Sequence, residues 1–305
     1  MRHTIRQYSG LIALVILFLP VTNTAAQQLD FDKIEIKTHH VRGNIHMLEG
    51  AGGNIGVSAG GDAVYIIDDQ FAPLTDKIQA AIAAISEKPV KFVINTHWHF
   101  DHTGGNENFG KAGAVIVAHD NVYERMTQEN FIRSLNRKVP PSPKAALPVI
   151  SFSHDVTFHV NGEDTRVFHV AHAHTDGDSV VHFPESNVVH TGDTWFHGNY
   201  PFIDISSGGS IDGMIAAVEK ILALVDDDTR IIPGHGPMGD RSDLEDYLVM
   251  LKTVRDRIQD LIHRGKSLEE VLALKPNADY DSSLGNGFIN PEQFLEIVYN
   301  SLMGE

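Results

Sequence analysis

Seven consecutive residues constrain this chain more than any other stretch: Thr96-His97-Trp98-His99-Phe100-Asp101-His102. Four potential metal ligands fall within six positions, directly after the apolar run Phe92-Val93-Ile94, which reads as a short buried strand. A tight loop leaving that strand can aim His97 and His99 at one point, with Asp101 and His102 facing a second point close by. Zinc takes nitrogen and oxygen donors at about 2.0–2.2 Å and keeps one position open for water when it is catalytic. The competing reading is a solvated polar loop with histidines by chance. The compact spacing, followed by Thr103-Gly104-Gly105, disfavours it.

Composition points the same way. Histidine occurs 18 times in 305 residues, and imidazole is the commonest metal ligand. Cysteine is absent, which excludes disulfides, thiolate zinc sites and a cysteine nucleophile. Twenty-four basic residues face 40 acidic ones, a net charge of -16, so no nucleic-acid partner is expected. With 42% hydrophobic and 21% charged residues, the chain is expected to form a globular core.

The N-terminus carries Arg2 and Arg6, the apolar run Leu11–Leu19, Pro20, and small residues up to Ala26. That pattern predicts a signal peptide over residues 1–26, cleaved before Gln27. An uncleaved anchor is the alternative, but the run is short against the roughly 20 apolar residues a bilayer requires. The mature chain, 27–305, is therefore expected to be periplasmic or secreted, without a stable membrane anchor.

Four strand-like runs open it, Lys33–Val41, Asn44–Leu48, Asn54–Ala59 and Ala63–Asp68, punctuated by glycines as in an antiparallel meander. Leu74, Ile78, Ala81, Ile82 and Ile85 then recur at helical spacing. After the histidine loop come a strand, Ala114–Ala118, a helix over Asn121–Leu135, and a proline-rich loop, Lys138–Pro148, placed to be a flap. Strands follow at Val156–Val160, Thr165–Val170, Ser179–Phe183 and Val188–Thr191, then a helix from Ile211 and the strand Arg230–Ile232. Helices at Leu244–Ile262, Leu268–Leu274 and Pro291–Leu302 close the chain, the extra C-terminal helices starting from about Arg241. Two strand-rich halves with helices outside suggest an α/β fold, a four-layer αββα sandwich, in a single domain.

The loop His97-x-His99-x-Asp101-His102 resembles that of the metallo-β-lactamase superfamily at every ligand position. Three later segments match the family's remaining ligands: His174 in Ala-His-Thr-Asp-Gly-Asp, Asp193 in Thr-Gly-Asp-Thr, and His235 in Pro-Gly-His-Gly. The resemblance covers roughly residues 40 to 240. It implies the αββα fold and two metals, the first held by His97, His99 and His174, the second by Asp101, His102 and His235, with Asp193 bridging. It also implies a hydrolase whose nucleophile is a metal-activated hydroxide, with Asp101 catalytic as its orienter and proton acceptor. Oxygen and nitrogen donors favour Zn2+, two per chain, with iron or manganese as alternatives. A carboxylate at Asp193, where the best-known β-lactamases carry cysteine or serine, is similar to the pattern of glyoxalase II and lactonases.

His172 competes with His174, although only His174 sits in the family's His-Thr-x-Gly-Asp setting. His197 follows Asp193 closely enough to line a pocket. Asp68 is either a turn residue or the orienter of a metal ligand. Trp195, Phe196, Asn199 and Tyr200 read as pocket wall, the aromatics equally as core. The expected substrate is a small molecule. β-Lactam hydrolysis is the leading specific expectation, on the grounds of export. A thioesterase or lactonase is the alternative, and a metal-binding protein without turnover is the reading from another class. Oligomeric state is open.

Overall fold

The computed structural model describes residues 29–304, and the expected signal at 1–26 lies outside them. Residues from Phe31 onward form one compact unit built on two sheets. The first sheet opens with the antiparallel meander β1 (Lys37–Arg42), β2 (Ile45–Glu49), β3 (Ile55–Ala59) and β4 (Val64–Ile67). It continues in parallel through β5 (Val90–Ile94) and β6 (Val115–His119). A separate hairpin, β7 (Asn130–Ile132) and β8 (Arg137–Val139), precedes the edge strand β9 (Ile150–Phe152), which pairs with β6. The second sheet is β10 (Asp155–Val160), β11 (Glu163–His169), β12 (Ser179–Phe183), β13 (Val188–His190) and β14 (Arg230–Ile232).

The four-layer arrangement follows from the period of two along buried strands. Tyr65, Ile67, Ile94 and Val117 of the first sheet share one apolar cluster with Val167, Val181, Val188 and Ile232 of the second. Their chain neighbours point the opposite way. Val64, Ile66, Val93 and Ile116 pack under α1 (Thr75–Ala83), through Ile78 and Ile82. Phe168, Val180, Val189 and Ile231 pack in one cluster with the helical layer on the other side. β4 and β13 are buried along their whole length because both of their faces are covered.

α3 (Asn106–Lys111) joins the layer of α1 through Phe109, whereas α2 (Phe100–Thr103) and α4 (Asp120–Met126) pack through Phe100, Val122 and Met126 into the cluster that holds Phe168 and Val180. On the second sheet lie α5 (Ile211–Leu222), α6 (Arg241–His263), α7 (Leu268–Leu274), α8 (Asp281–Leu284) and α9 (Pro291–Met303). Buried Ile211, Met214, Ile215, Val218 and Ile221 give α5 its apolar stripe, and the Ser210 hydroxyl caps its start. Capping boxes, Asp240 with Asp243, Ser267 with Glu270 and Asn290 with Gln293, open α6, α7 and α9.

Three expectations need correction. The helix expected over Asn121–Leu135 ends at Met126. Beyond it, the Asn130 side chain donates to the Arg125 and Gln128 carbonyls, and Phe131-Ile132 enter the hairpin, turned by Asn136 in the left-handed region. The proline-rich segment is ordered at both ends, by β8 and by a 3-10 turn at Lys144–Ala146. The first strand starts at Lys37, because Phe31–Lys33 form a 3-10 turn.

Candidate metal centre

The seven expected donors lie on segments that follow strand ends, five in loops and turns and Asp101 and His102 in the short helix α2. Asp68, just past β4, starts the construction. Its carboxylate accepts from the Thr96 backbone N–H and hydroxyl, both at 2.7 Å, and pins the chain where it leaves β5. His97 and His99 follow in the turn, and α2 then presents Asp101 and His102. The His97 ring lies 4.9 Å from that of His99 and 4.2 Å from that of His102. The second sheet supplies its donors singly: His174 between β11 and β12, Asp193 after β13, and His235 after β14. Glycine is required where these loops meet. A Cβ on Gly53 would stand 2.1 Å from the His102 ring, and one on Gly234 2.1 Å from Asp193 Oδ1.

The imidazoles are aimed by their outer nitrogens. His102 Nδ1 donates to Asp68 Oδ2 at 2.8 Å, His174 Nδ1 to the Phe202 carbonyl at 2.7 Å, and His99 Nε2 to Asp204 Oδ2 at 3.0 Å. The Thr96 hydroxyl, its proton committed to Asp68, accepts from His97 Nδ1 at 3.0 Å. Oxygen acceptors thereby fix the orientation of four rings and turn the second nitrogen of each inward. His97 Nε2 is buried with no hydrogen-bond partner.

These inward atoms form three overlapping groups: His97, His99 and His174; His97, His102 and Asp193; Asp101, His102 and His235. Asp193 Oδ2 stands 3.8 Å from His97 Nε2, 3.5 Å from His174 Nε2 and 3.3 Å from His235 Nε2. His235 Nε2 is 3.5 Å from Asp101 Oδ2 and 3.3 Å from His102 Nε2. Two donors of one tetrahedral zinc lie about 3.4 Å apart, so most of these separations fit shared cations. His174 Nε2 and His99 Nδ1, at 2.8 Å, are closer than that.

Electrostatics agree. Burial lowers the His97 pKa well below the ordinary value and that of His174 to about 4, which keeps both neutral and able to ligate. Burial also opposes charge on His102, but Asp193, Asp101 and Asp68 overcome it and hold that imidazole well above its usual range. Burial would raise Asp193, yet His102, His235 and His97 keep it well below the carboxylate range. Carboxylates outweigh fixed positive charge in this buried pocket, the potential a cation seeks. The donor set therefore fits metal ions.

The other residues singled out from sequence divide. Asp68 takes both of its expected roles, with positive φ at the strand end and a carboxylate on His102. His172 is exposed and faces the Gly208 carbonyl, away from the cluster. His197 stacks on Trp195 and meets the Pro237 carbonyl. Trp195 and Tyr200 are core, whereas Phe196 stacks on His235 with centroids 5.0 Å apart. Asn54 ties the loops together, its side-chain amide donating to the Pro233 and Gly236 carbonyls on either side of His235. Asp204 was not anticipated. It is 1% exposed, holds His99, and is itself held by Ser206 and Ser207.

Comparison with known proteins places this geometry in a family. A hydroxyacylglutathione hydrolase from Polaromonas sp. is 29% identical over 53% of this chain and 55% of its own length. The chain spans about half the length of the hydroxyacylglutathione hydrolases it matches. A metallo-β-lactamase from Pontibacter korlensis superposes with TM-score 0.58 at 19% identity, over 72% of this chain and 99% of that one. A sec-alkylsulfatase from Pseudomonas sp. gives 0.67 at 16% identity, over 88% and 50%. Residues 43–250 match the sequence model of the metallo-β-lactamase superfamily, and the chain belongs to that superfamily.

Proposed function

We propose that this chain hydrolyses acyl bonds with two Zn2+ ions, and that its substrate is a thioester. The observation that carries the dinuclear reading is Asp193, one carboxylate oxygen of which lies within 3.3–3.8 Å of nitrogens from both the inner and the outer histidines. His97, His99 and His174 would hold one ion, and Asp101, His102 and His235 the other. Bound metal supplies Lewis acidity, which polarises a carbonyl and acidifies water. The chain's own groups do the rest. Asp101, 22% exposed at the rim, is placed to orient the attacking water and accept its proton. Phe196 holds the His235 ring in plane, and Asp68 and Asp204 stop His102 and His99 from turning away.

Two features favour the thioester: the carboxylate at Asp193, a pattern similar to that of glyoxalase II, and the hydroxyacylglutathione hydrolases among the relatives by sequence. Hydrolysis of a panel of thioesters, lactones and β-lactams by zinc-loaded protein tests it. A rate on thioesters exceeding the others supports the reading, and activity on β-lactams alone returns the earlier expectation. Export belongs to the same proposal, and intact mass from the native host should give Gln27 as the first residue.

A further inference from the structure

Beside the metal centre lies a cavity of ≈ 320 Å³ that none of the donors lines. Its walls include Arg133 and Leu135 of the hairpin turn, Ile203 of the loop after Asp193, and Phe288, Glu296 and Ile297 from the approach to α9 and its body. Two contacts join it to the centre. Asp204 lines the cavity and accepts from His99. The Phe202 ring is 5.8 Å from that of His99 and 6.2 Å from that of Phe288. The C-terminal wall, residues 288–300, falls outside the segment that matches the family.

Two features describe the occupant. Apolar side chains at the base are buried, Ile203 at 1% and Ile297 at 7%, while Phe288 stands 70% exposed at the edge, an apolar surface lacking cover. The second feature is charge. Arg125, Arg166, Arg241, Arg255, Arg257 and Arg264 each hold a carboxylate. Among the described residues, four arginines hold none: Arg42, which donates to the Asp228 carbonyl, Arg230, and the two of the hairpin. Arg133 lines the cavity, and Arg137 lies 3.8 Å over the Phe100 ring, next to Asp101. The same walls carry two carboxylates, Glu296, exposed on α9, and Asp204, which is taken up by His99, Ser206 and Ser207.

We propose that this cavity receives the non-reacting part of the substrate, an apolar chain ending in a carboxylate, with Arg133 as the anion's partner and Phe288 covering the chain. The proposal rests on the thioesterase reading and names the acyl class for it. Arg133 and Phe288 set specificity and are not catalytic residues.

Two thioesters with the same medium-length acyl chain, one ending in methyl and one in carboxylate, test this with zinc-loaded protein. Arg133→Ala should raise KM about tenfold for the carboxylated substrate, the loss of one charge-assisted contact, and leave its kcat unchanged. The methyl-ended substrate should stay within about twofold, and Arg133→Lys should restore part of the loss. Phe288→Ala should raise KM for both. Equal KM changes for the two substrates in Arg133→Ala, or none, would overturn the proposal while leaving the hydrolase intact. Calorimetry with decanoate and metal-free protein separates the two ideas. Binding weakened about tenfold in Arg133→Ala sustains the cavity even where no thioester is hydrolysed, and equal binding by both proteins overturns it.

Discussion

The two ends of the metal centre use the same chemistry in different solvents. The side chains of His97, His99 and His174 are 0%, 4% and 0% exposed, and three outer hydrogen bonds hold them. Of the other group, only His102 is fully buried; Asp101 and His235 are 22% and 26% exposed at the rim. Burial makes the inner group a rigid cage and keeps His97 and His174 neutral. The outer group carries a carboxylate with room beside it for water and substrate. On the proposed function, holding the ion and handling the proton would be divided between the two ends.

The largest test of that division removes the cage. His174→Ala should empty the inner position and lower kcat/KM on the order of 10³-fold, since a metal's transition-state contribution is several kcal/mol. Elemental analysis should find one metal fewer per chain; full occupancy would break the comparison. Asp101→Asn should do the reverse, lowering kcat by roughly 10²-fold while the inner ion stays. Unchanged kcat with two metals bound would remove Asp101 from the chemistry. Third, Asp204→Ala frees His99 Nε2 from its acceptor and should weaken inner-site affinity by about 10-fold or more, read by competition with a chelator. A loss confined to the outer ion would contradict the assignment.

The smallest effect is a control outside the centre. His119 and His169 stack 3.8 Å apart, and burial lowers His169 to about 4. Its unfolded value is near 6.5, so the unfolded chain binds the proton first. The His169 contribution to the stability of the metal-free protein should be fully present above pH 6.5 and be lost as pH drops towards about 4, alongside like-signed contributions from His97 and His174. His169→Gln should flatten that slope in urea denaturation, and an unchanged slope would assign the pH response elsewhere.

Much of the centre was legible because its information is local. His97, His99, Asp101 and His102 share one loop, and His174, Asp193 and His235 each carry a glycine-marked setting directly after a strand. Asp204 had no such mark. It stands eleven residues past Asp193 in a loop without period, and only the packed structure brings its carboxylate to His99. The hairpin was misread for a related reason. Helical spacing continues through Phe131 and Leu135, but Asn130 and Asn136 end it through contacts and a backbone turn that periodicity does not encode. β9, three residues paired with β6, is too short to announce itself.

The chain has no cysteine with which to tie its two sheets together. The donors from His97 to His235 come from four strand ends on both sheets, and Asn54 stitches the first sheet's loop to that of His235. A cation gripped there acts as a clasp, closing a loop of about 140 residues that the unfolded chain would have to reopen. Because the folded state alone presents these donors together, every tenfold excess of metal over its dissociation constant adds about 1.4 kcal/mol to the cost of unfolding. With metal bound as proposed, its supply would set the lifetime of the fold as well as its activity, and metal starvation would reach the protein as proteolysis.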